Sequence, residues 1–141
     1  MLPVTKEYER LKTLWELPLL LLIGGVGYCT LEILFRGRTH PSMALCGAIC
    51  FFLIYRLNEE CHRLILPIRA LLSASLITGV ELITGCIVNL WLQLAVWDYS
   101  TLPYHLWGQI CLPFFIIWTL LCIPTCGLCT LIRRLVFLEN D

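Results

Sequence analysis

The chain has 141 residues, of which 59% are hydrophobic and 14% are charged, and its formal net charge is zero. Soluble domains carry about 25% charged residues, so this composition is typical of a protein embedded in lipid rather than of a soluble domain. Without an excess of basic residues the chain has no net positive charge to bind the phosphate backbone of a nucleic acid. We therefore expect no nucleic-acid partner.

Four apolar stretches are long enough to cross a bilayer, whose hydrocarbon core needs about 20 residues of helix. They cover residues 15–35, 41–57, 70–97 and 109–132. Aromatic residues lie near their ends, as interfacial anchors do. The sequence therefore predicts an all-α fold, a four-helix integral membrane bundle that forms a single transmembrane domain over residues 1–141.

The first span has no cleavage site of a signal peptide, so we expect it to remain in the protein. Gly24, Tyr28 and Glu32 recur every four residues and share one helical face. Glu32 also lies four residues before Arg36, which is the spacing of an ion pair on a helix. Tyr28, Glu32 and Arg36 are candidates for the outer mouth of a site, and an interfacial ion pair is the alternative.

The third span contains one ionised residue, Glu81, near the middle of its apolar run. A carboxylate at mid-depth in a bilayer costs a few kcal/mol or more, so such residues usually face other helices or a wet cavity. Thr78, Asn89 and Gln93 recur with Glu81 at helical spacing and are expected to share its face. One interpretation is a cation or proton site with these residues as polar lining. The other is a hydrogen-bonded Glu that holds helices together.

The outer connection between the third and fourth spans is an aromatic turn with one acid, Asp98. Asp98 either caps a turn or lines an entrance. In the fourth span Cys122, Cys126 and Cys129 share a small, weakly polar face. Helix packing is the favoured interpretation of this cysteine cluster, and metal binding or palmitoylation is the alternative.

The Lys and Arg residues predict the orientation in the membrane. Eight of them lie near the two termini and around the second loop, on one side of the membrane. The other two, Arg36 and Arg38, lie in the first loop on the opposite side. The positive-inside rule then places both termini in the cytoplasm.

Residues 45–52 and 106–115 open the second and fourth spans with similar Gly, Ile-Cys and Phe-Phe patterns. This similarity predicts two parallel helical hairpin repeats, related by an axis along the membrane normal. Chance similarity of apolar sequence is the competing explanation.

Signatures of enzymes are missing from the sequence. It has no Walker-type glycine loop, no Gly-x-Ser-x-Gly elbow and no His and Cys set at metal-ligand spacing. We expect no catalytic residues, no metal and no cofactor.

Several segments resemble a family of small bacterial membrane proteins, the putative ABC-transporter type IV family. The most specific are Trp-Asp-Tyr-Ser at residues 97–100 and Gly-Gln-Ile-Cys-Leu-Pro at residues 108–113, and the resemblance also includes residues 31–43, 79–85 and 89–91. It implies a multi-span protein of the bacterial plasma membrane, in which Glu32, Glu81 and Asp98 belong to the family pattern. Larger members often have an acid where this chain has Asn89.

These observations predict a permease-like component of a transport system, with Glu81 as its ionisable element. Four helices enclose little volume, so we expect a homo-oligomer, and any ATP-driven step would need a separate nucleotide-binding subunit. The alternative is a non-transporting membrane scaffold or regulatory subunit whose polar stripe drives helix association.

Overall fold

A computed structural model of the protein describes residues 3–137, with side chains from Lys6 onward. Within this range four helices follow one another: α1 (Pro3–Arg36), α2 (Pro41–Glu60), α3 (Leu66–Gly85) and α4 (Leu112–Leu135). A π-helical turn, Cys86–Trp91, continues α3. Two short antiparallel strands, β1 (His105–Leu106) and β2 (Ile110–Cys111), precede α4.

All four helices are long and apolar enough to span a membrane, and the fold is 77% helical. Their outward surfaces carry large aliphatic side chains such as Leu34, Ile83 and Leu120, each more than half exposed. Such surfaces suit hydrocarbon and not water. The predicted all-α, four-helix membrane bundle is confirmed.

Prolines mark the starts of three helices. Pro41, Pro67 and Pro113 lie in the first turn of α2, α3 and α4, where a missing N–H costs nothing. His40 caps α2, because its Nδ1 accepts a hydrogen bond from the backbone N–H of Ser42 at 3.2 Å. These local signals fix where the helices begin.

The helix bounds differ from the expected spans at several ends. The sequence predicts a third span over 70–97, but its helical structure ends at Trp91. It predicts a fourth span over 109–132, but α4 is Leu112–Leu135. Hydropathy alone cannot distinguish an apolar helix from an apolar loop that packs on helix ends. Residues 92–111, which we call the connector, form such a loop, and it includes the buried Trp97.

The helices pack in chain order. α1 packs most extensively on α2, α3 packs on α4, and α2 packs on α3. α1 and α4 make few contacts, and cavities lie between them. The bundle is therefore open along one side.

The two ends of the bundle differ in character. At one end, which we call the terminal end, the Tyr8 hydroxyl donates to the Phe137 carbonyl at 2.9 Å, and Arg69 donates to Asn58 Oδ1 at 3.1 Å. The other end, the connector end, carries the short turn at residues 37–40 and the 20-residue connector. The candidate site lies toward the connector end.

Candidate functional site

The connector is held on the end of α3 by hydrogen bonds from the π-helical turn. Asn89 Nδ2 donates to Gln109 Oε1 at 2.8 Å, and Asn89 Oδ1 accepts from the Val96 backbone N–H at 2.7 Å. The Trp97 indole N–H donates to the Gln109 carbonyl at 3.0 Å. Because Trp97 and Gln109 are 5% and 3% exposed, the connector is a packed part of the bundle rather than a free loop.

A glycine permits this close packing. A Cβ added at Gly85 would lie 2.5 Å from Gln109 Oε1 and 3.0 Å from the Trp97 ring. The last α-helical residue of α3 therefore has no room for a side chain. The connector can approach α3 only because residue 85 is Gly.

Glu81 lies beneath the connector and is 2% exposed. Its Oε1 accepts a hydrogen bond from the Tyr99 hydroxyl at 2.9 Å, and its Oε2 accepts one from the Trp118 indole N–H at 3.2 Å. Within residues 3–137, no Lys, Arg or His side chain is placed at ion-pair distance from this carboxyl. Glu81 thus joins α3, the connector and α4 through two neutral donors.

The two rings that donate to this carboxyl group, those of Tyr99 and Trp118, belong to a group of four aromatic rings. Tyr28 of α1 stacks on Trp118 with ring centroids 5.7 Å apart, and Tyr99 stacks on Phe114 at 4.5 Å. Phe114 and Trp118 lie 6.4 Å apart, so the four rings form one continuous group. Burial, followed by the nearby Glu81 charge, raises the pKa of Tyr99 well above its ordinary value. Tyr99 therefore stays a protonated donor at physiological pH.

A cavity of about 210 Å³ lies beside the rings, between α1, the connector and α4. We call it the aromatic cavity, and its lining includes Tyr28, Glu32, Arg36, Tyr99, Phe114 and Trp118. A second cavity of about 340 Å³ shares Tyr28 and Trp118 with it and extends toward the terminal end. The two cavities follow the open side between α1 and α4.

The charged groups on the cavity wall are paired. Glu32 Oε1 accepts from Arg36 Nη2 at 2.5 Å, as the four-residue spacing predicts. Glu32 Oε2 accepts from the Thr39 hydroxyl at 3.0 Å, and Arg36 Nη1 donates to the Val96 carbonyl at 3.2 Å. The Glu32–Arg36 pair is therefore part of the contact between α1 and the connector.

The structure brings Tyr28, Glu32 and Arg36 to the cavity beside Glu81, but it places other candidate residues elsewhere. The Thr78 hydroxyl donates to the Ala74 carbonyl of its own helix at 2.8 Å. Asn89 holds the connector and makes no hydrogen bond to Glu81. The prediction that Gln93 shares the helical face of Glu81 is wrong, because the helical structure ends at Trp91. Gln93 itself has a φ of +53°, and its side chain is exposed.

Asp98 is exposed and caps a turn. Its Oδ1 accepts from the Ser100 backbone N–H at 2.8 Å, and this hydrogen bond lowers the pKa of Asp98. An added Cβ at Gly108 would lie 2.6 Å from the same oxygen. Of the two interpretations of Asp98, this geometry matches the turn cap.

Sequence reasoning did not single out the two residues that bind Glu81. Tyr99 is part of the aromatic turn that the sequence predicts between the third and fourth spans, and no sequence pattern assigns a role to Trp118. Trp118 did carry a detectable signal, since its polar indole N–H lies inside an apolar span, six residues after α4 begins at Leu112. An indole N–H within an apolar span needs an acceptor, and Glu81 is an acidic group within the third apolar span.

The cysteine cluster lies in the core. Cys122, Cys126 and Cys129 are at most 1% exposed, and Cys126 Sγ lies 3.7 Å from the Ser73 hydroxyl of α3. In the described part of the chain, no three His, Cys, Asp or Glu side chains are grouped so that they could hold a metal. This arrangement fits helix packing.

Four membrane-spanning helices with polar groups turned toward one another define a multi-pass helical membrane protein. Residues 14–138 match the family described as putative ABC-transporter type IV, and the chain belongs to this family. The family resemblance is thereby confirmed, and the description of the family suggests a transport-related membrane role. No curated protein and no solved structure matches the chain significantly.

Proposed function

We propose that the protein is a permease-like component of a transport system, and that Glu81 is the ionisable group of its binding site. The observation that carries this proposal is the aromatic cavity beside a buried carboxyl group that is held by neutral donors alone. A buried acid in a membrane helix is costly, so it marks a functional position by default.

The open space supports transport over a purely structural role. A Glu that served only to join helices would gain most from close packing on every side, because voids forfeit dispersion contacts. Here the rings that bind Glu81 form the wall of a cavity of about 210 Å³ instead. A ligand could enter this space without breaking the helix contacts of α2 and α3.

The connector provides the closing element. Tyr99 belongs to the connector and binds Glu81, whereas Trp118 belongs to α4. A shift of the connector would release the Tyr99 hydrogen bond and leave the Trp118 bond in place. In this proposal the connector covers the site from the outer side.

Orientation and partners follow from charge and size. Eight basic residues at the terminal end and two at the connector end favour cytoplasmic termini in a bacterial plasma membrane, with the aromatic cavity toward the outer side.

The open side between α1 and α4 is a natural place for a second protomer. ATP-driven transport would require a separate nucleotide-binding subunit, since the sequence has no phosphate-binding glycine loop.

The test is Glu81→Gln, which removes the charge but keeps the size. The Gln oxygen can still accept from Trp118, and its amide can donate to the Tyr99 oxygen, so the fold is expected to survive. We expect the purified variant to have normal helix content and melting temperature and to lose at least tenfold in complementing a deletion strain. Glu59→Gln is the matched control, because it makes the same change at an exposed pair with Arg56.

The second candidate function is a membrane scaffold, favoured by the way Glu81 links three parts of the fold. If Glu81→Gln complements normally, the ionisable site is excluded and the scaffold is favoured. If it is unstable in the membrane, Glu81→Asp, which keeps the charge, distinguishes the two. The transport proposal requires Glu81→Asp to retain more activity than Glu81→Gln at equal expression.

A further inference from the structure

We infer that the aromatic cavity binds a small monovalent organic cation, of the quaternary ammonium or alkylammonium class, with Glu81 as its counter-charge. This inference rests on the proposed function, since it names the substrate class of the same site. It is argued from three properties of this cavity: the aromatic rings that line it, the charged side chains near it, and its volume.

The charges near the cavity favour a cation over an anion. Glu32 and Arg36 neutralise each other, and Arg36 is further engaged by the Val96 carbonyl. Glu81 is the remaining acid, and it lies behind Tyr99 and Trp118, the two neutral donors that line the cavity and bind its carboxyl group. A cation in the cavity would be attracted by this carboxylate across the two rings, whereas an anion would be repelled by it and would find the Arg36 guanidinium already bound.

The lining favours an organic over an inorganic cation. Ca²⁺ and Mg²⁺ require about six oxygen ligands, and the lining offers few oxygens. No group of three acidic, His or Cys side chains capable of holding a metal occurs within residues 3–137. Five aromatic side chains of the lining instead provide π surfaces, which attract a diffuse positive charge without stripping it of tightly bound water.

The volume limits the ligand to a small one. Pockets for drug-sized molecules measure about 300–1,000 Å³, and the aromatic cavity is smaller, at about 210 Å³. Trimethylammonium and tetraethylammonium groups are of a suitable scale. The adjoining cavity of about 340 Å³ has an apolar lining and can accept an alkyl extension.

The test measures equilibrium binding to the full chain purified in detergent, by isothermal titration calorimetry. The probes are choline, tetraethylammonium and benzyltrimethylammonium, with 3,3-dimethylbutan-1-ol as the neutral isostere of choline. We expect at least one of the cations to bind, with the best of them binding at least tenfold more tightly than the neutral alcohol. Glu81→Gln should weaken the cation at least tenfold, and Glu59→Gln should leave it unchanged.

Phe114→Leu provides a second variant, because it removes a ring while it keeps an apolar side chain and breaks no hydrogen bond. It should weaken cation binding several-fold and hardly affect the neutral alcohol. The inference is overturned if no cation binds, if the alcohol binds equally well, or if neither variant weakens the cation. Loss of complementation by Glu81→Gln without cation binding would overturn this inference alone and leave the proposed function intact.

Discussion

At the scale of single residues, the behaviour of Glu81 depends on its two donors. A buried acceptor that loses a partner incurs its desolvation cost, about 1–3 kcal/mol. Tyr99 and Trp118 each supply one hydrogen bond, at 2.9 and 3.2 Å. Their rings also belong to the stacked group that connects α1, the connector and α4, so the phenol and the indole have both a polar and an apolar function.

Tyr99→Phe is predicted to destabilise the protein by about 1–3 kcal/mol, because it leaves Glu81 Oε1 without its donor while it keeps the ring stack. Unfolding by SDS in mixed micelles measures this change. Tyr104→Phe is the control, since it makes the same substitution on the same connector at a side chain that is 82% exposed. Equal stability of the two variants would contradict the assigned hydrogen bond.

At the scale of the elements, the contact between α1 and α2 depends on glycine. Gly24 and Gly47 face each other, and a Cβ added at Gly24 would lie 2.5 Å from the Phe51 Cβ and 2.6 Å from the Gly47 carbonyl oxygen. Small residues let membrane helices approach closely, and dispersion contacts then hold them together. This pair therefore sets the distance between α1 and α2, and with it the position of Tyr28 one turn further along α1.

Gly24→Ala is predicted to destabilise the α1–α2 contact by about 1–3 kcal/mol, because the clash involves backbone atoms that cannot move aside. Gly79→Ala and Gly127→Ala are matched controls in helices α3 and α4, since a Cβ there meets nothing within 4 Å. Melting temperatures in detergent should fall for Gly24→Ala and stay equal or rise slightly for the controls. A decrease of the same size in all three variants would refute the close contact.

At the scale of the whole molecule, the fold is a four-helix membrane bundle that is closed by the connector at one end and open between α1 and α4. The contacts in chain order and the cavities along the open side describe a structure with one free edge. The ten basic residues are divided eight to two between the ends. This charge difference is what orients such a bundle during insertion.

Alkaline phosphatase fused after Tyr104 is predicted to be active, and the same enzyme fused after residue 141 inactive, because we place the connector outside and both termini in the cytoplasm. Green fluorescent protein at residue 141 should fluoresce. The positive control removes basic charge without changing the four spans. Replacing Lys6, Arg10 and Lys12 by Gln should increase the fraction of molecules inserted in the opposite orientation. The reverse pattern in the unmodified chain would refute the orientation.

Local sequence features are enough to predict the four spans, the family and the Glu32–Arg36 pair. Spans are decided by local hydropathy, and an ion pair at a spacing of four residues is decided by helix geometry alone. The resemblance to the family depended on short blocks around residues 97–100 and 108–113, and these blocks belong to the connector. These blocks identify the family by sequence, whereas their structural role depends on how the connector packs.

The tertiary structure alone decided what surrounds Glu81. Tyr99 and Trp118 lie 18 and 37 residues away from Glu81 along the chain. Tyr99 reaches the carboxyl group because the connector folds back onto the end of α3, and Trp118 reaches it because α4 packs on α3. Helical periodicity predicted Gln93 as a neighbour instead, since a period of 3.6 residues assumes that the helix continues. The helix ends at Trp91, and the connector that follows it packs back against Gly85, a contact between residues distant in sequence that no local pattern encodes.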